Sequence, residues 1–370
     1  MHNVADVGLV IIGIAAAVFV LDAAVRTFVV PRGTVVLFTV VVFRVTRRIF
    51  ALFASPRRGY EARDRVMALY APIALLALPT VSIIVVFLGF ACVFQGLEER
   101  GWRNAFTTSG SSLLTLGFER PSNLPGVFAA FTEAAIGLSL LALLIAYLPA
   151  IYSTFSKREI AVTDLAIRAG TPPTPANMIV RAHLTGFLQE MDRFWEAWMT
   201  WFTEVQETHT SYGSLAFFRS PNPHRSWVTA AGAVLDSAAV RLAVLDIPVT
   251  PAAALCIRSG YLALREVAGF FGYDYDEDPA PDAPISVTRD EFDELYAKLA
   301  AAGVPVRPDR DQAWRDFAGW RVNYDRVLVT LAGYVMAPYA PWVSDRSPIE
   351  PLAHYGWGRR RVEITRRAQR

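Results

Sequence analysis

The sequence predicts an all-α membrane protein that continues into a helical domain outside the membrane, and two observations carry this prediction. Hydrophobic residues make up 53% of the 370 residues and charged residues only 19%, whereas soluble domains carry about 25% charged residues. The apolar surplus is concentrated before residue 155, in three long stretches with few or no charges. A membrane-spanning helix needs about 20 apolar residues, so each stretch is a predicted span.

The predicted spans cover residues 7–30, 70–96 and 124–153. In the first, Asp22 and Arg26 are four residues apart on one helical face and are predicted to pair. The segment before this span has no basic residue and the apolar run is long, which argues against a cleaved signal peptide. These spans divide the chain into predicted regions, which are an N-terminal span with a basic helix (1–66), a central membrane domain (67–155) and a helical domain (156–370).

The arginines predict the orientation of the spans. Residues 31–68 contain eight arginines against two acidic residues, whereas the charges of residues 97–123 balance. Loops rich in arginine and lysine stay in the cytoplasm. We therefore expect a multi-pass protein of the cell (plasma or inner) membrane, with residues 31–68 and everything after about residue 155 in the cytoplasm.

Residues 34–53 are apolar but carry Arg44, Arg47 and Arg48, spaced i, i+3, i+4. We favour an interfacial helix whose arginines face anionic lipid headgroups, which makes membrane lipids a predicted partner. A fourth, poor span is the alternative. A voltage-sensing helix would need countercharged partner spans, which the sequence lacks.

Composition argues against several other classes of function. A net charge of +2 gives no bias toward nucleic acid. The two cysteines, Cys92 and Cys256, provide neither a disulfide framework nor a zinc ribbon. The histidines show no metal-ligand spacing and no catalytic set stands out, so we expect neither an enzyme nor a bound cofactor.

The region 156–370 reads as a helical domain. Helices are predicted at 177–207, 226–245, 251–271, 288–302 and 311–336. The first carries an aromatic stripe, which predicts a buried core: Phe187, Met191, Phe194, Trp195, Trp198, Trp201 and Phe202. Asp274, Asp276 and Asp278 copy the first ligands of a calcium loop. Pro279 and Ile285 stand where such a loop needs Gly and Glu, so we interpret the segment as an acidic, proline-rich loop.

Residues 102–121, between the second and third spans, are the most informative part of the sequence. The stretch begins at Trp102 and consists mostly of small, weakly polar residues. It is too short and too polar to cross a membrane. Non-helical backbone at membrane depth is tolerated only where it is buried in protein or lines water. We therefore predict a short helix that enters the membrane and an extended return, with the negative end of the helix dipole favouring a cation.

Within this loop, Thr115-Leu116-Gly117-Phe118-Glu119 resembles the Thr-Val-Gly-Tyr-Gly filter of potassium channels, and the flanking spans match that family's order of span, pore helix, filter and span. The resemblance implies a tetramer with potassium as the permeant ion, coordinated by the Thr115 hydroxyl and by backbone carbonyls. It implies that Trp102 leads the pore helix and that Gly137 stands where the inner helix often hinges. Glu133 is expected to support the filter from behind, through a hydrogen bond to a Ser or Thr of the pore helix.

Glu119 departs from the family pattern, because it replaces the second glycine of the filter. The outermost carbonyl site is then expected to be absent, with a ring of carboxylates in its place. Such a ring attracts cations without separating potassium from sodium. Arg120 is predicted to neutralise the ring by pairing.

Two functions follow from the sequence. The first is a tetrameric cation channel, permeable to potassium or weakly selective among monovalent cations. The alternative is a membrane-anchored cytoplasmic binding or sensor protein whose pore loop does not conduct.

Overall fold

The computed structural model describes residues 4–28, 36–55, 59–98 and 100–347. Three helical stretches of these ranges, Val4–Thr27, Tyr60–Glu98 and Leu124–Ala169, are long and apolar enough to cross a membrane. Apart from one isolated bridge between Leu245 and Val306, the described residues contain no β-structure. The predictions of an all-helical fold and of three possible spans are confirmed. Arg32, Arg57, Arg58 and His354 lie outside the described residues.

Thirteen α-helices occur in the described ranges: α1 (Val4–Phe28), α2 (Leu37–Phe53), α3 (Tyr60–Ala68), α4 (Tyr70–Glu98), α5 (Trp102–Leu113), α6 (Leu124–Ala169), α7 (Pro175–Leu184), α8 (Asp192–Ser211), α9 (Trp227–Ala243), α10 (Pro251–Phe270), α11 (Arg289–Ala301), α12 (Arg310–Arg321) and α13 (Asp325–Tyr334). The chain forms two compact units. The first comprises Met1–Phe50 and Leu69–Ser153, and the second comprises Ala51–Ala68 and Thr154–Arg370. The predicted boundary at 66/67 is therefore not followed, because α3 belongs to the second unit.

In the first unit, α1 and α4 pack closely through glycines. A Cβ atom at Gly13 would run into the carbonyl oxygen of Gly89 and would lie 2.7 Å from a methyl group of Val93. Small residues let helices approach at such distances in a membrane, where van der Waals packing rather than the hydrophobic effect drives association. Val20 and Phe94 belong to the buried apolar cluster of this unit.

In the second unit, α9 is the central helix. Every residue of α9 is buried, and α7, α10, α12 and α13 pack around it. The aromatic residues of α8 are buried as predicted, from Phe194 and Trp195 to Phe202.

Two helix predictions in this unit are wrong in extent. The predicted helix 177–207 is divided into α7 and α8, because Gly186 adopts a φ of +72° and turns the chain. The predicted helix 311–336 is likewise two helices, α12 and α13.

Buried arginines organise the second unit. Arg321 donates to Asp236, to Asp325 at 2.7 Å and to the Trp342 carbonyl at 2.5 Å, while the Tyr324 hydroxyl donates to Asp236 at 2.9 Å. Burial raises the pKa of Asp236, and the charge of Arg321 opposes that rise.

A second buried arginine, Arg158, joins α6 to the segment that follows α8. It donates to the carbonyl oxygens of Leu215 and Phe218, both at 2.7 Å. It also pairs with Glu159 at 2.8 Å and contacts His209 at 3.1 Å. Buried charges are tolerated only when they have partners. The contacts of Arg158 are therefore explained by the folding of this unit.

Candidate functional site

The candidate site is the chain reversal at the end of α5. The helix begins at Trp102, whose ring lies 5.8 Å from that of Phe106, and Phe106 in turn lies 5.7 Å from Phe87 of α4. After the helix ends at Leu113, Thr115 and Gly117 both adopt positive φ angles, of +56° and +71°. Glycine takes this left-handed conformation at no steric cost, whereas threonine resists it. The segment is therefore held in its shape by its contacts.

The backbone N–H groups of the segment supply those contacts. The N–H of Thr115 donates to the Ser112 carbonyl at 3.0 Å, and the N–H of Leu116 to the Ser111 carbonyl at 2.8 Å. The N–H of Gly117 shares the Ser111 carbonyl at 3.4 Å. Three consecutive N–H groups are thus turned back to the last residues of α5.

The carbonyl groups of the same segment have no such partners. Within the described ranges, no hydrogen bond is donated to the carbonyl oxygens of residues 115–118. Unpaired backbone carbonyls are costly unless water, an ion or another group satisfies them. Four consecutive open carbonyls are suited to coordinate a cation.

The side chains of this segment are exposed in the single chain. Leu116 is 61% exposed and Phe118 is 65% exposed, and a Cβ atom at Gly117 would meet nothing within 4 Å. Large exposed apolar side chains next to open backbone indicate a surface that other molecules cover. In the single chain, the hydrogen bonds of residues 115–117 all go to α5.

Glu119 is turned away from the open carbonyls. Its N–H donates to the Ser111 hydroxyl at 3.1 Å, and its carbonyl accepts from the same hydroxyl at 3.3 Å. The run of open carbonyls therefore ends at Phe118. The Glu119 carboxylate accepts a hydrogen bond from the Asn104 amide at 3.1 Å and lies 3.9 Å from Arg100. The prediction that Arg120 pairs with Glu119 is wrong for the single chain, because Arg100 occupies that role.

Glu133 of α6 is fully buried. Its carboxylate is 2.5 Å from the hydroxyl of Ser109 on α5, and that hydroxyl is 2.9 Å from the Phe87 carbonyl of α4. The structure thus brings Glu133 to a serine of the short helix, as the sequence analysis expected. This contact joins α4, α5 and α6 at one point.

Gly137 has an observed role in packing. A Cβ atom at this position would lie 2.7 Å from the Leu113 carbonyl oxygen, so glycine lets the end of α5 approach α6. The hinge that the resemblance implies at Gly137 stays a prediction.

The three arginines of α2 do not share one environment. Arg48 is exposed and Arg44 is half-buried. Arg47 is buried, with its guanidinium 6.0 Å from the centre of the Tyr70 ring. Successive residues of a helix are about 100° apart, so adjacent Arg47 and Arg48 cannot occupy one narrow stripe. The prediction that Arg47 faces lipid is therefore corrected, while Arg44 and Arg48 remain candidates.

Two minor predictions concern charged residues elsewhere. Asp22 and Arg26 pair at 2.8 Å, which confirms the predicted contact. In the acidic loop, the Asp276 carboxylate accepts from the N–H of Asp278 at 3.0 Å, and Arg265 donates to the Glu277 carbonyl at 2.8 Å. The loop is therefore fastened by one hydrogen bond within it and by one from α10.

The sequence analysis missed the residues that hold the segment in place. Ser111 and Ser112 receive its N–H groups, and Asn104 and Arg100 hold Glu119. The N–H groups are received by backbone carbonyls, which any residue type would provide. The run Ser109-Gly-Ser-Ser was a usable signal only for the hydroxyl contacts of Ser109 with the Phe87 carbonyl and of Ser111 with the Glu119 backbone, since serine hydroxyls bind nearby backbone groups. Which backbone groups would bond to each serine depended on the path of residues 115–119.

Comparison of the chain with protein-family models, with curated proteins and with solved structures finds no match. The fold and the site define the class of protein only as far as an all-helical protein with three helices able to cross a membrane.

Proposed function

We propose that the chain is one subunit of a tetrameric cation channel and that residues 115–118 line its ion filter. The observation that carries the proposal is the asymmetry of this segment. The N–H groups of residues 115–117 bond back to α5, while the carbonyls of residues 115–118 are left without a donor in the described part of the chain. Carbonyl oxygens that replace the hydration shell of an ion must be free of other donors.

The assembly follows from the same segment. One loop per chain supplies one carbonyl at each level, so copies must surround an axis to complete a coordination shell. The exposed side chains of Leu116 and Phe118 then become covered by neighbouring copies. The C-terminal end of α5, with its negative dipole, adds a favourable field for a cation.

Glu119 supports a limited selectivity. Its carbonyl already accepts a hydrogen bond from Ser111, so the proposed filter has one open carbonyl level fewer than the family it resembles. We expect cations to be preferred over anions, with only weak preference for potassium over sodium. Glu119→Gly should move the preference toward potassium, because glycine can redirect its carbonyl.

The experiment is reconstitution of the purified chain into liposomes, with reversal potentials measured in potassium–sodium gradients. Wild type is expected to conduct both ions and Glu119→Gly to favour potassium. Gly117→Ala should abolish conduction, because alanine resists the φ of +71°. Gly101→Ala is the matched control, since Gly101 also has positive φ (+88°) and open space around it but lies before α5.

Two outcomes would contradict the proposal. A monodisperse monomer in native mass spectrometry would contradict the proposed tetramer. If Gly117→Ala conducts as well as wild type, residues 115–118 do not form the ion filter. If the wild-type oligomer carries no flux, the alternative function applies, in which the membrane part is an anchor for a cytoplasmic binding or sensor unit.

A further inference from the structure

A cleft opens in the second unit between the end of α6, helix α7 and the beginning of α8. Its volume is about 260 Å³, whereas an apolar cavity of about 150 Å³ already holds a benzene molecule. Four buried apolar side chains form what we call its floor: Met178, Ala182, Met191 and Phe194. Methionine thioethers adapt to the shape of an apolar partner. The cleft therefore has room and a suitable surface for an aromatic ring.

Three charged side chains border the same cleft, and they do not cancel. They are Asp164 and Arg168 of α6 and Arg181 of α7. The Nε group of Arg168 donates to the Asp164 carboxylate at 3.0 Å, and its guanidinium lies 5.7 Å from the centre of the Phe194 ring. One carboxylate against two guanidinium groups leaves a net charge of +1 beside the apolar floor.

Arg181 provides the unpaired charge. It donates to the Ile167 carbonyl at the end of α6, which satisfies one of the carbonyls that a helix end leaves without a partner. That bond uses one of the five N–H donors of a guanidinium. Within the described ranges, Arg181 forms no ion pair and no other hydrogen bond. Capping of α6 therefore explains one donor, and the others remain open to a ligand.

We infer that this cleft binds a small organic carboxylate with an apolar body, of the arylalkanoate type. The apolar body rests on the floor, and the carboxylate receives hydrogen bonds from Arg181 and Arg168, since guanidinium groups recognise carboxylates in a planar, two-bond geometry. The charge decides between anions. A carboxylate monoanion balances the +1 of the border, whereas a phosphate monoester carries about −1.5 to −2 at neutral pH.

The site lies within residues Thr154–Arg370 of the second unit. The inference therefore goes beyond the proposed channel and does not depend on it, because no residue of the pore segment takes part.

The experiment is equilibrium dialysis of the purified full chain with 3-phenylpropanoate. Two further probes separate its parts: 3-phenylpropanamide has the ring without the charge, and acetate has the charge without the ring. Both should bind at least about tenfold more weakly than 3-phenylpropanoate, because hydrogen bonds to charged groups and burial of an aromatic ring each contribute that much or more. Phenyl phosphate is the fourth probe and should also bind more weakly.

Variants assign the binding to the cleft. Arg181→Gln and Arg168→Gln should each weaken 3-phenylpropanoate about tenfold and leave the amide unchanged. Arg326→Gln, at an exposed arginine of α13 outside the cleft, is the matched control and should bind like wild type. Ala182→Leu places extra volume on the floor and should weaken the acid and the amide alike. Thermal unfolding without ligand checks that each variant is folded.

Several outcomes would overturn the inference. Absence of 3-phenylpropanoate binding to wild type removes the site, and equal binding of the acid and the amide removes the role of the arginines. Tighter binding of phenyl phosphate would replace the carboxylate by a phosphate ester. Wild-type affinity in both Arg181→Gln and Arg168→Gln would place the binding elsewhere. Because the two arginines are tested separately, loss of folding in one variant leaves the other as the test.

Discussion

The two units of this chain differ in how Arg321 in the second unit and the backbone of residues 115–118 in the first unit are bonded. In the second unit, the fully buried Arg321 reaches two carboxylates and a carbonyl group. In the first unit, the carbonyls of residues 115–118 have no donor among the described residues, and Leu116 and Phe118 are exposed beside them. The hydrogen bonds of Arg321 are therefore all made within the second unit. The open carbonyls of the first unit are, in the proposed channel, completed by ions and by further copies of the chain.

The largest expected effect concerns the ion pairs of Arg321. Arg321→Leu leaves Asp236 and Asp325 buried without their counter-charge, and breaking a buried ion pair in this way costs about 3–5 kcal/mol. Thermal unfolding of the purified variant should show a corresponding loss of stability. The control is Arg289→Ala, which removes exposed ion pairs with Asp293 and Asp311 and should change stability little. Equal transitions for both variants would contradict the comparison.

The next effect concerns close packing in the first unit. Gly13→Leu forces a side chain into the Gly89 carbonyl and the Val93 methyl group, and overpacking of this kind costs about 1–3 kcal/mol or more. Gly8→Leu is the matched control on the same helix, because a Cβ atom there meets nothing within 4 Å. Resistance to heating in detergent should fall for Gly13→Leu only. If Gly8→Leu is equally harmful, close packing is not the cause.

A pH effect is expected in the second unit. Burial, and then the charge of Arg158, lowers the pKa of His209 well below its usual range. The unfolded chain therefore binds a proton at a pH where the folded chain does not. Stability should fall as pH drops below about 6.5, by at most about 1.4 kcal/mol per pH unit. Unfolding measured between pH 7 and 5 should be less pH-dependent in His209→Gln, and slopes equal to that of wild type would exclude His209 as the source.

The smallest expected effect concerns lipid. Exposed Arg48 should contribute about 1 kcal/mol to the binding of anionic lipid near a charged surface. Arg48→Gln should lower the retention of anionic lipid in native mass spectrometry. Arg47→Gln is the matched comparison, and because Arg47 packs over Tyr70 it should lower stability more than lipid retention. The reverse ranking would restore Arg47 as the lipid-facing arginine.

The amino-acid sequence determined the all-helical class of the fold and the three helices that are long and apolar enough to span a membrane, because these depend on local composition. About 20 apolar residues in a row need no tertiary information to be read as a span. The contact of Glu133 with Ser109 was also accessible, since a lone carboxylate in an apolar helix needs a partner nearby. The division of the predicted helix 177–207 at Gly186 could not be predicted from the sequence, because a single glycine is tolerated inside many helices.

Only the tertiary structure decided which polar groups are satisfied. Whether Glu119 would pair with Arg120 or Arg100 depended on the path of the chain between α4 and α5, and whether Arg47 would be exposed depended on where Tyr70 packs. Spacing along a helix gives the face of a residue, but not what lies against that face. The open carbonyls of residues 115–118 were likewise not predictable, because they depend on the hydrogen bonds of the return segment with Ser111 and Ser112 and on the positive φ angles of Thr115 and Gly117.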